Sequence, residues 1–68
     1  MSIYKVVELV GTSEISWDDA GRNAIETAKE TLHDLRVGEV TKMDIKIEGE
    51  RIIYRTRINL SFKYLSVD

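Results

Sequence analysis

The sequence predicts an α+β domain with the element order β-α-β-β, in which one helix packs on a three-stranded antiparallel sheet. Three observations predict it: a capped amphipathic segment within Gly11–Leu35, a clear alternation of mostly apolar and mostly polar positions over Ile52–Tyr64, and a glycine-containing turn at Glu48–Arg51. The turn makes the last two strands a hairpin. A right-handed crossover through the helix then places the third strand between the other two, in the order 1-3-2.

The first strand is predicted over Ile3–Val10, which is rich in valine and isoleucine. Lys5 and Glu8 interrupt the apolar residues, as expected of a strand with one covered face and one partly solvated face. The polar residues Gly11-Thr12-Ser13 are predicted to end this strand.

The helix is predicted to begin after Ser16, a favourable N-cap residue, with Asp19 three positions later as in a capping box. Ile15 is expected to pack onto the first turn from outside. His33 and Arg36 suit the negative end of the helix dipole. The residues that recur at helical spacing, and that should face the sheet, are Trp17, Ala20, Gly21, Ala24, Ala28, Thr31, Leu32 and Leu35.

The second strand is predicted over Val37–Glu48 and the third over Ile52–Tyr64. The helix-facing positions of the third strand are Ile52, Tyr54, Thr56, Ile58, Leu60, Phe62 and Tyr64. Met43, Ile45 and Ile47 share that face on the second strand. The opposite face carries Arg55, Arg57, Asn59, Lys63, Asp44, Lys46 and Glu48. We expect the long third strand to overhang its neighbours and to offer an edge to another chain.

The 68 residues predict one domain, spanning residues 1–68, with little stability to spare. Without cysteine and with one histidine, neither a disulfide nor a structural zinc site is expected, so oligomerisation is the predicted source of additional stability. A net charge of -2 with interspersed signs does not predict nucleic-acid binding. The sequence shows no charged leader and no apolar run of membrane-spanning length, which predicts a cytoplasmic protein without a membrane partner.

Catalytic chemistry is not indicated. The chain has no cysteine nucleophile, and its serines have only His33 as a base. The sequence therefore predicts a protein that is not an enzyme.

Several side chains are candidates for ligand binding, each with a structural alternative. Glu14, Asp18 and Asp19 would bind a hard cation if a neighbouring subunit supplied more oxygens, or they complement the helix N-terminus. Arg55 and Arg57 suit phosphate or carboxylate groups, or they form salt bridges on the outer sheet face.

Trp17 is a further candidate, because an indole ring stacks on flat ligands. Its position at the start of the apolar stripe favours a core or interface residue instead.

The chain resembles the dodecin family over nearly its whole length. The resemblance rests on the Val10-Gly11-Thr12-Ser13 junction, alanines at helical spacing, Glu39-Val40 at the start of a strand, and a long last strand with Ser61-Phe62-Lys63. It implies a hollow homododecamer built from β-α-β-β subunits. It also implies flavin (FMN or riboflavin) as ligand, bound in pairs near two-fold axes for storage or sequestration.

Two positions depart from the family pattern. The resemblance implies a ring-stacking tryptophan two residues before Glu39, where this sequence has Val37, and a glutamine directly after Tyr54, where it has Arg55. Valine has no π face, and arginine is longer and permanently charged. Glu39 stands where the family keeps a glutamate, and we expect it to serve subunit contacts.

The resulting prediction is a non-enzymatic dodecameric shell for small-ligand binding or storage, with flavin binding weak or lost. A flavin-storing dodecin whose modified site uses Arg55 is one alternative. Because some members of the branch that lacks the flavin site are associated with calcium, an ion-binding assembly is the other. That assembly would use Glu14, Asp18, Asp19 or Glu39 across subunit boundaries.

Overall fold

The computed structural model describes residues 1–66. The elements are β1 (Ser2–Ser13), α1 (Trp17–Ala28), β2 (Leu35–Glu48) and β3 (Arg51–Ser66). The strands form one antiparallel sheet in the order β1-β3-β2, which confirms the predicted fold class and strand order. Within residues 1–66, no helix has the length and hydropathy that a membrane span requires.

The start of α1 is formed as predicted. Ser16 has an extended backbone, and its hydroxyl accepts a hydrogen bond from the Asp19 amide at 3.0 Å. The Asp19 carboxylate accepts a bond of 2.6 Å from the Ser13 hydroxyl, which ties the helix start to the end of β1. The prediction for Ile15 is wrong, because its side chain remains 75% exposed and does not cover the first turn.

The predicted end of the helix is also wrong. The amide of Leu32 still donates to the carbonyl of Ala28 at 2.9 Å, but Asp34 has a φ of 58° and Leu35 pairs with Phe62 in the sheet. The three stripe residues beyond the helix are Thr31, Leu32 and Leu35. Leu32 and Leu35 nevertheless pack against the core, so their spacing predicted burial correctly but not conformation.

Neither of the predicted helix-end cations lies in α1, whose last turn has no basic residue. His33 is in the connection to β2, and Arg36 is in β2 itself. Both errors arise because α1 ends earlier than predicted. The residues from Leu35 onwards pair with β3 instead of continuing the helix.

The strand β1 does not end before Gly11, contrary to the sequence prediction. Gly11 pairs with Thr56, and the ladder continues to Ser13 opposite Tyr54. A Cβ atom on Gly11 would lie 1.9 Å from the Ala20 carbonyl oxygen, so only glycine allows the helix to lie this close to the strand.

The helix covers only the middle of the sheet. At 12 residues α1 is about 18 Å long, whereas β3 with 16 residues extends over about 53 Å. Among residues 1–65, the buried apolar side chains are Ala20, Ala28, Ile58 and Leu60. Ile52 and Tyr64, near the two ends of β3, are 51% and 58% exposed. The predicted contact between the helix-facing residues of β3 and the sheet-facing residues of α1 is therefore formed only in the middle of β3.

The predicted overhang of β3 is present, but each end of β3 extends beyond only one of its two neighbouring strands. Arg51 pairs only with Glu48 of β2, and Leu65 pairs only with Ile3 of β1. Each end of β3 therefore has one free edge rather than two.

An apolar surface on the β2–β3 hairpin is left largely exposed by α1. We call it the hairpin arm; its residues are Met43, Ile45, Ile47 and Ile52. Their exposed fractions are 57%, 45%, 76% and 51%. The protein is correspondingly elongated, with extents of 54 × 21 × 14 Å.

Candidate functional site

The sheet face turned away from α1, which we call the outer face, holds the candidate site residues. Direct cross-strand partners point to the same side of a sheet, so the ladders define which side chains share this face. They include the predicted polar and charged residues Asp44, Lys46, Glu48, Arg55, Arg57, Asn59 and Lys63. Val37 and Glu39 of β2 belong to the same face, opposite Ser61 and Asn59.

Arg55 is engaged by a carboxylate of its own chain. It lies directly opposite Asp44, and its Nε and Nη2 atoms donate to Oδ1 and Oδ2 at 2.6 and 2.8 Å. These hydrogen bonds hold the pKa of the Asp44 carboxyl below its usual value, and they raise the pKa of the Arg55 guanidinium. The pair lies at a half-exposed site and neutralises the charge of Arg55.

Val37 and Arg55 do not meet within one chain. Val37 lies opposite Ser61, six positions from Arg55 along β3, which corresponds to about 20 Å. The Val37 side chain is 61% exposed, and its carbonyl accepts a long hydrogen bond of 3.3 Å from the Ser61 hydroxyl. A site that used both side chains would need two copies of the chain.

Between these positions, the outer face carries four further charges, of which the two positive ones, on Lys42 and Arg57, help to lower the pKa of Asp44. Glu8 and Glu39 flank Asn59 from the two neighbouring strands, and Lys42 lies beside Arg57. In the part of the chain that the structure describes, none of these four charged side chains forms an ion pair. The Nε atom of Arg57 is buried and has no hydrogen-bond partner.

The acidic residues near the start of α1 are largely engaged in structural contacts. Glu14 accepts a hydrogen bond of 3.0 Å from Arg51, and Asp19 accepts from Ser13; Asp18 is exposed. Glu39 lies on the outer face, away from the other three. Residues 1–66 hold no cluster of three or more His, Cys, Asp or Glu side chains suited to a metal ion.

Trp17 joins the helix to the hairpin. Its indole Nε1 donates to the Asp44 carbonyl at 3.0 Å, its carbonyl accepts from the Thr56 hydroxyl at 2.9 Å, and its ring lies edge-on to Tyr54 at 5.1 Å. These contacts support the structural interpretation of Trp17 over the ligand-stacking one.

Two apolar grooves flank α1. The groove between α1 and β1 has a volume of about 550 Å³ and is lined by Val7, Leu9, Ala24, Ala28 and Leu32, among others. The groove between α1 and β2 has a volume of about 370 Å³ and lies beside Trp17, Ile25 and Val40. Both are open troughs where a short helix leaves the sheet uncovered.

Sequence reasoning placed Asp44 and Arg55 on one face but did not pair them. The signal that predicts the pair is the tight turn, because Glu48 opposite Arg51 fixes the register back to Asp44 opposite Arg55. The partner of Glu39 cannot be found by counting from the turn, because an irregularity between Val40 and Lys42 shifts the register of the two strands.

Comparisons with known proteins identify one family. The family model described as Dodecin matches residues 3–65. The calcium dodecin of Mycobacterium tuberculosis is 38% identical over 64 residues, covering 93% of this chain and 90% of that protein.

Solved structures agree with this match over the same length. The crystal structure of the M. tuberculosis calcium dodecin, described as calcium chelating with a novel calcium-binding site, has a TM-score of 0.86 and 34% identity, covering 98% of this chain and 97% of that chain. The dodecin of Streptomyces coelicolor has a TM-score of 0.88 and 34% identity, covering 97% of this chain and 96% of that one.

Proposed function

The chain belongs to the dodecin family, and we propose that it forms a non-enzymatic, hollow homododecameric shell that binds or stores a small ligand, with flavin binding weak or lost. The observation that carries the assembly is the hairpin arm, an apolar surface that the chain's own helix leaves largely exposed. Exposed contiguous apolar surface marks an interaction site in soluble proteins. We place the shell in the cytoplasm, as the sequence predicts.

The dimensions of the subunit support assembly independently. The radius of gyration is 14.0 Å, whereas a compact chain of 68 residues has about 11 Å. With few buried apolar side chains, an isolated subunit has a small core. Contacts with further copies would bury the remaining apolar area and stabilise the fold by mass action.

Two side chains support weak or absent flavin binding. Val37 offers no aromatic ring, and an aromatic stack contributes about 0.5–1.5 kcal/mol beyond the buried area. Arg55 is held against Asp44, so any ring placed beside it meets a charged pair rather than the neutral amide of the family pattern. Both features lower the affinity for an isoalloxazine ring.

Riboflavin fluorescence tests this proposal directly. We expect the purified protein to be colourless and to leave the fluorescence of added riboflavin unquenched at micromolar concentration. The double variant Val37→Trp, Arg55→Gln should quench it, because it restores the ring and the amide of the family pattern. Quenching by the unmodified protein with micromolar affinity would instead support the flavin-storing alternative and contradict the proposal.

Calcium is the second candidate ligand, because the M. tuberculosis relative is named for it. Since the described residues of one chain offer no acidic cluster, the ion would be held by carboxylates from several copies; the candidates are Glu14, Asp18, Asp19 and Glu39. Calorimetric titration with Ca²⁺ and Mg²⁺ after chelator treatment tests this. Heat that saturates at a fixed ratio of Ca²⁺ to assembly supports it, and a flat titration excludes it.

A further inference from the structure

A small cavity on the outer face, which we call the notch, holds an excess of positive charge. Its volume is about 10 Å³, which is room for about one oxygen atom. The residues that line it are Val10, Lys42, Asp44, Arg55 and Arg57. Three of these side chains are cations and one is a carboxylate, so two positive charges of the notch are in excess.

The carboxylate of the notch forms hydrogen bonds with only one of the three cations. Both oxygens of Asp44 accept from Arg55, at 2.6 and 2.8 Å. The pKa of Asp44 is lowered first by this hydrogen bonding to Arg55, and to a smaller extent by the charges of Lys42 and Arg57. Asp44 therefore compensates the charges of Lys42 and Arg57 only in part.

The β2–β3 ladder places Lys42 and Arg57 side by side. They are direct cross-strand partners, and like charges at such positions repel each other. The register irregularity between Val40 and Lys42 produces this pairing, and the Thr41 hydroxyl donates a long hydrogen bond of 3.4 Å to the Arg57 carbonyl there. An anion between the two side chains would relieve the repulsion.

The guanidinium of Arg57 also has an unused donor. Its Nε atom is buried, and no acceptor within residues 1–66 forms a hydrogen bond with it. A buried donor of a charged group is costly to leave unpaired, and such donors usually bind protein, water or an ion. Glu8 and Glu39 lie two positions further along the strands, about 7 Å away, and neither forms an ion pair with Arg57 or Lys42.

We propose that the notch is a phosphate-binding site, in which one phosphate oxygen accepts a hydrogen bond from Arg57 Nε and a second oxygen contacts the Lys42 ammonium group. Guanidinium and ammonium groups both bind phosphate oxygens, with charge-assisted hydrogen bonds. A phosphate group carries a charge of about -1.5 to -2 at neutral pH, which matches the excess of two positive charges. The ligand is inorganic phosphate or the phosphate group of a small organic molecule.

The phosphate site names the chemical class of the ligand in the proposed shell, and in that respect it rests on the proposed function. The site itself does not depend on assembly, because all the residues that line the notch belong to one chain. Val10, which is 48% exposed, adds an apolar wall against which the organic part of a phosphate ester can pack.

Calorimetric titration at constant ionic strength tests the site, with inorganic phosphate and phenyl phosphate as probes and chloride as the control anion. Constant ionic strength separates binding at the notch from general screening of surface charge. We expect saturable heat at one phosphate group per chain. Heat with inorganic phosphate identifies the free ion as a ligand, and heat with phenyl phosphate alone identifies an organic phosphate. Heat no larger than that of chloride for both probes overturns the site.

Variants of the two cations locate the binding. Arg57→Gln and Lys42→Gln should each weaken phosphate binding by about tenfold or more. Glu39→Gln removes a neighbouring carboxylate and should strengthen it by about two- to threefold. Arg22→Gln, at an exposed position of α1, removes the same charge elsewhere and should stay within about twofold of the unmodified protein. Equal losses in Arg22→Gln and Arg57→Gln overturn the site, because they show an effect of net charge alone.

Light scattering on the same samples separates the phosphate site from the proposed shell. An assembled protein that binds no phosphate overturns the site alone. A mass of one or two chains overturns the shell, and the phosphate titration of that protein still tests the notch. Circular dichroism detects unfolding of the variants. Since Lys42 is exposed, Lys42→Gln removes no buried contact and tests the site even if Arg57→Gln unfolds.

Discussion

Arg55 and Asp44 form a two-point ion pair across adjacent strands, with Nε–Oδ1 at 2.6 Å and Nη2–Oδ2 at 2.8 Å. The two bonds fix both side chains at the position where the family pattern expects a neutral amide. The backbone carbonyl of Asp44 also accepts a hydrogen bond from the indole Nε1 of Trp17. One residue of β2 therefore orients both a candidate site residue and the start of the helix.

The pH dependence of this pair is the first prediction. Because Arg55 lowers the pKa of Asp44 in the folded state, the pair contributes stability above the unfolded pKa of aspartate, about 4, and loses it as the pH falls through the lower folded value. A carbon-detected NMR titration should give Asp44 a lower pKa than that of aspartate in the unfolded chain. In Arg55→Gln that pKa should rise, and an unchanged value in the variant would contradict the pair.

The sequence predicts the fold better than it predicts the site, for a physical reason. Alternation over β3 and the turn at Gly49, which has a φ of +59°, are local signals that determine the hairpin, and the right-handed crossover then places β3 in the centre of the sheet. The end of α1 depends on competition with the sheet, because Leu35 pairs with Phe62 despite its helical spacing. Local spacing alone cannot decide that competition.

The site was harder to predict because it depends on register. Asp44 and Arg55 are paired by counting from the turn, but the irregularity after Val40 displaces Glu39 by one position. Val37 and Arg55 lie on different strands, and only the pairing of β2 with β3 shows that about 20 Å separates them.

Gly11 is predicted to be indispensable for the packing of α1 on β1. Gly11→Ala places a methyl group against the Ala20 carbonyl, which cannot move away without shifting the helix, and should cost about 2–3 kcal/mol. Gly38→Ala is the matched control, because its Cβ atom would meet side-chain methyl groups rather than backbone, Ile25 Cδ1 at 3.3 Å and Ile58 Cγ2 at 3.4 Å, and we expect a change within about 1 kcal/mol. Urea unfolding at equal protein concentration measures both; equal losses would contradict the account of Gly11.

The N-cap of α1 gives a third prediction. Ser16→Ala removes the hydroxyl that accepts from the Asp19 amide and should lower the unfolding free energy by about 1 kcal/mol. Ser16→Asp keeps an acceptor at this position and should retain most of the stability. If thermal unfolding shows the two variants to be equally destabilised, the hydrogen bond accepted by the Ser16 hydroxyl does not stabilise the protein.

The hairpin arm is predicted to act in assembly rather than in subunit folding. Ile47 is 76% exposed, so Ile47→Lys removes little packing within one chain but places a charge on the surface that other copies are expected to cover. We expect loss of the large assembly at micromolar concentration with strand and helix content retained by circular dichroism. Ile47→Leu is the apolar control and should assemble normally; normal assembly of Ile47→Lys would show that the arm remains solvated.

The mass of the protein in solution tests the proposed shell most directly. Light scattering coupled to size-exclusion chromatography, at micromolar concentration and physiological salt, should return about twelve times the 7.8 kDa of one chain. Native mass spectrometry should give the same stoichiometry. A mass equal to one or two chains under these conditions would contradict the account.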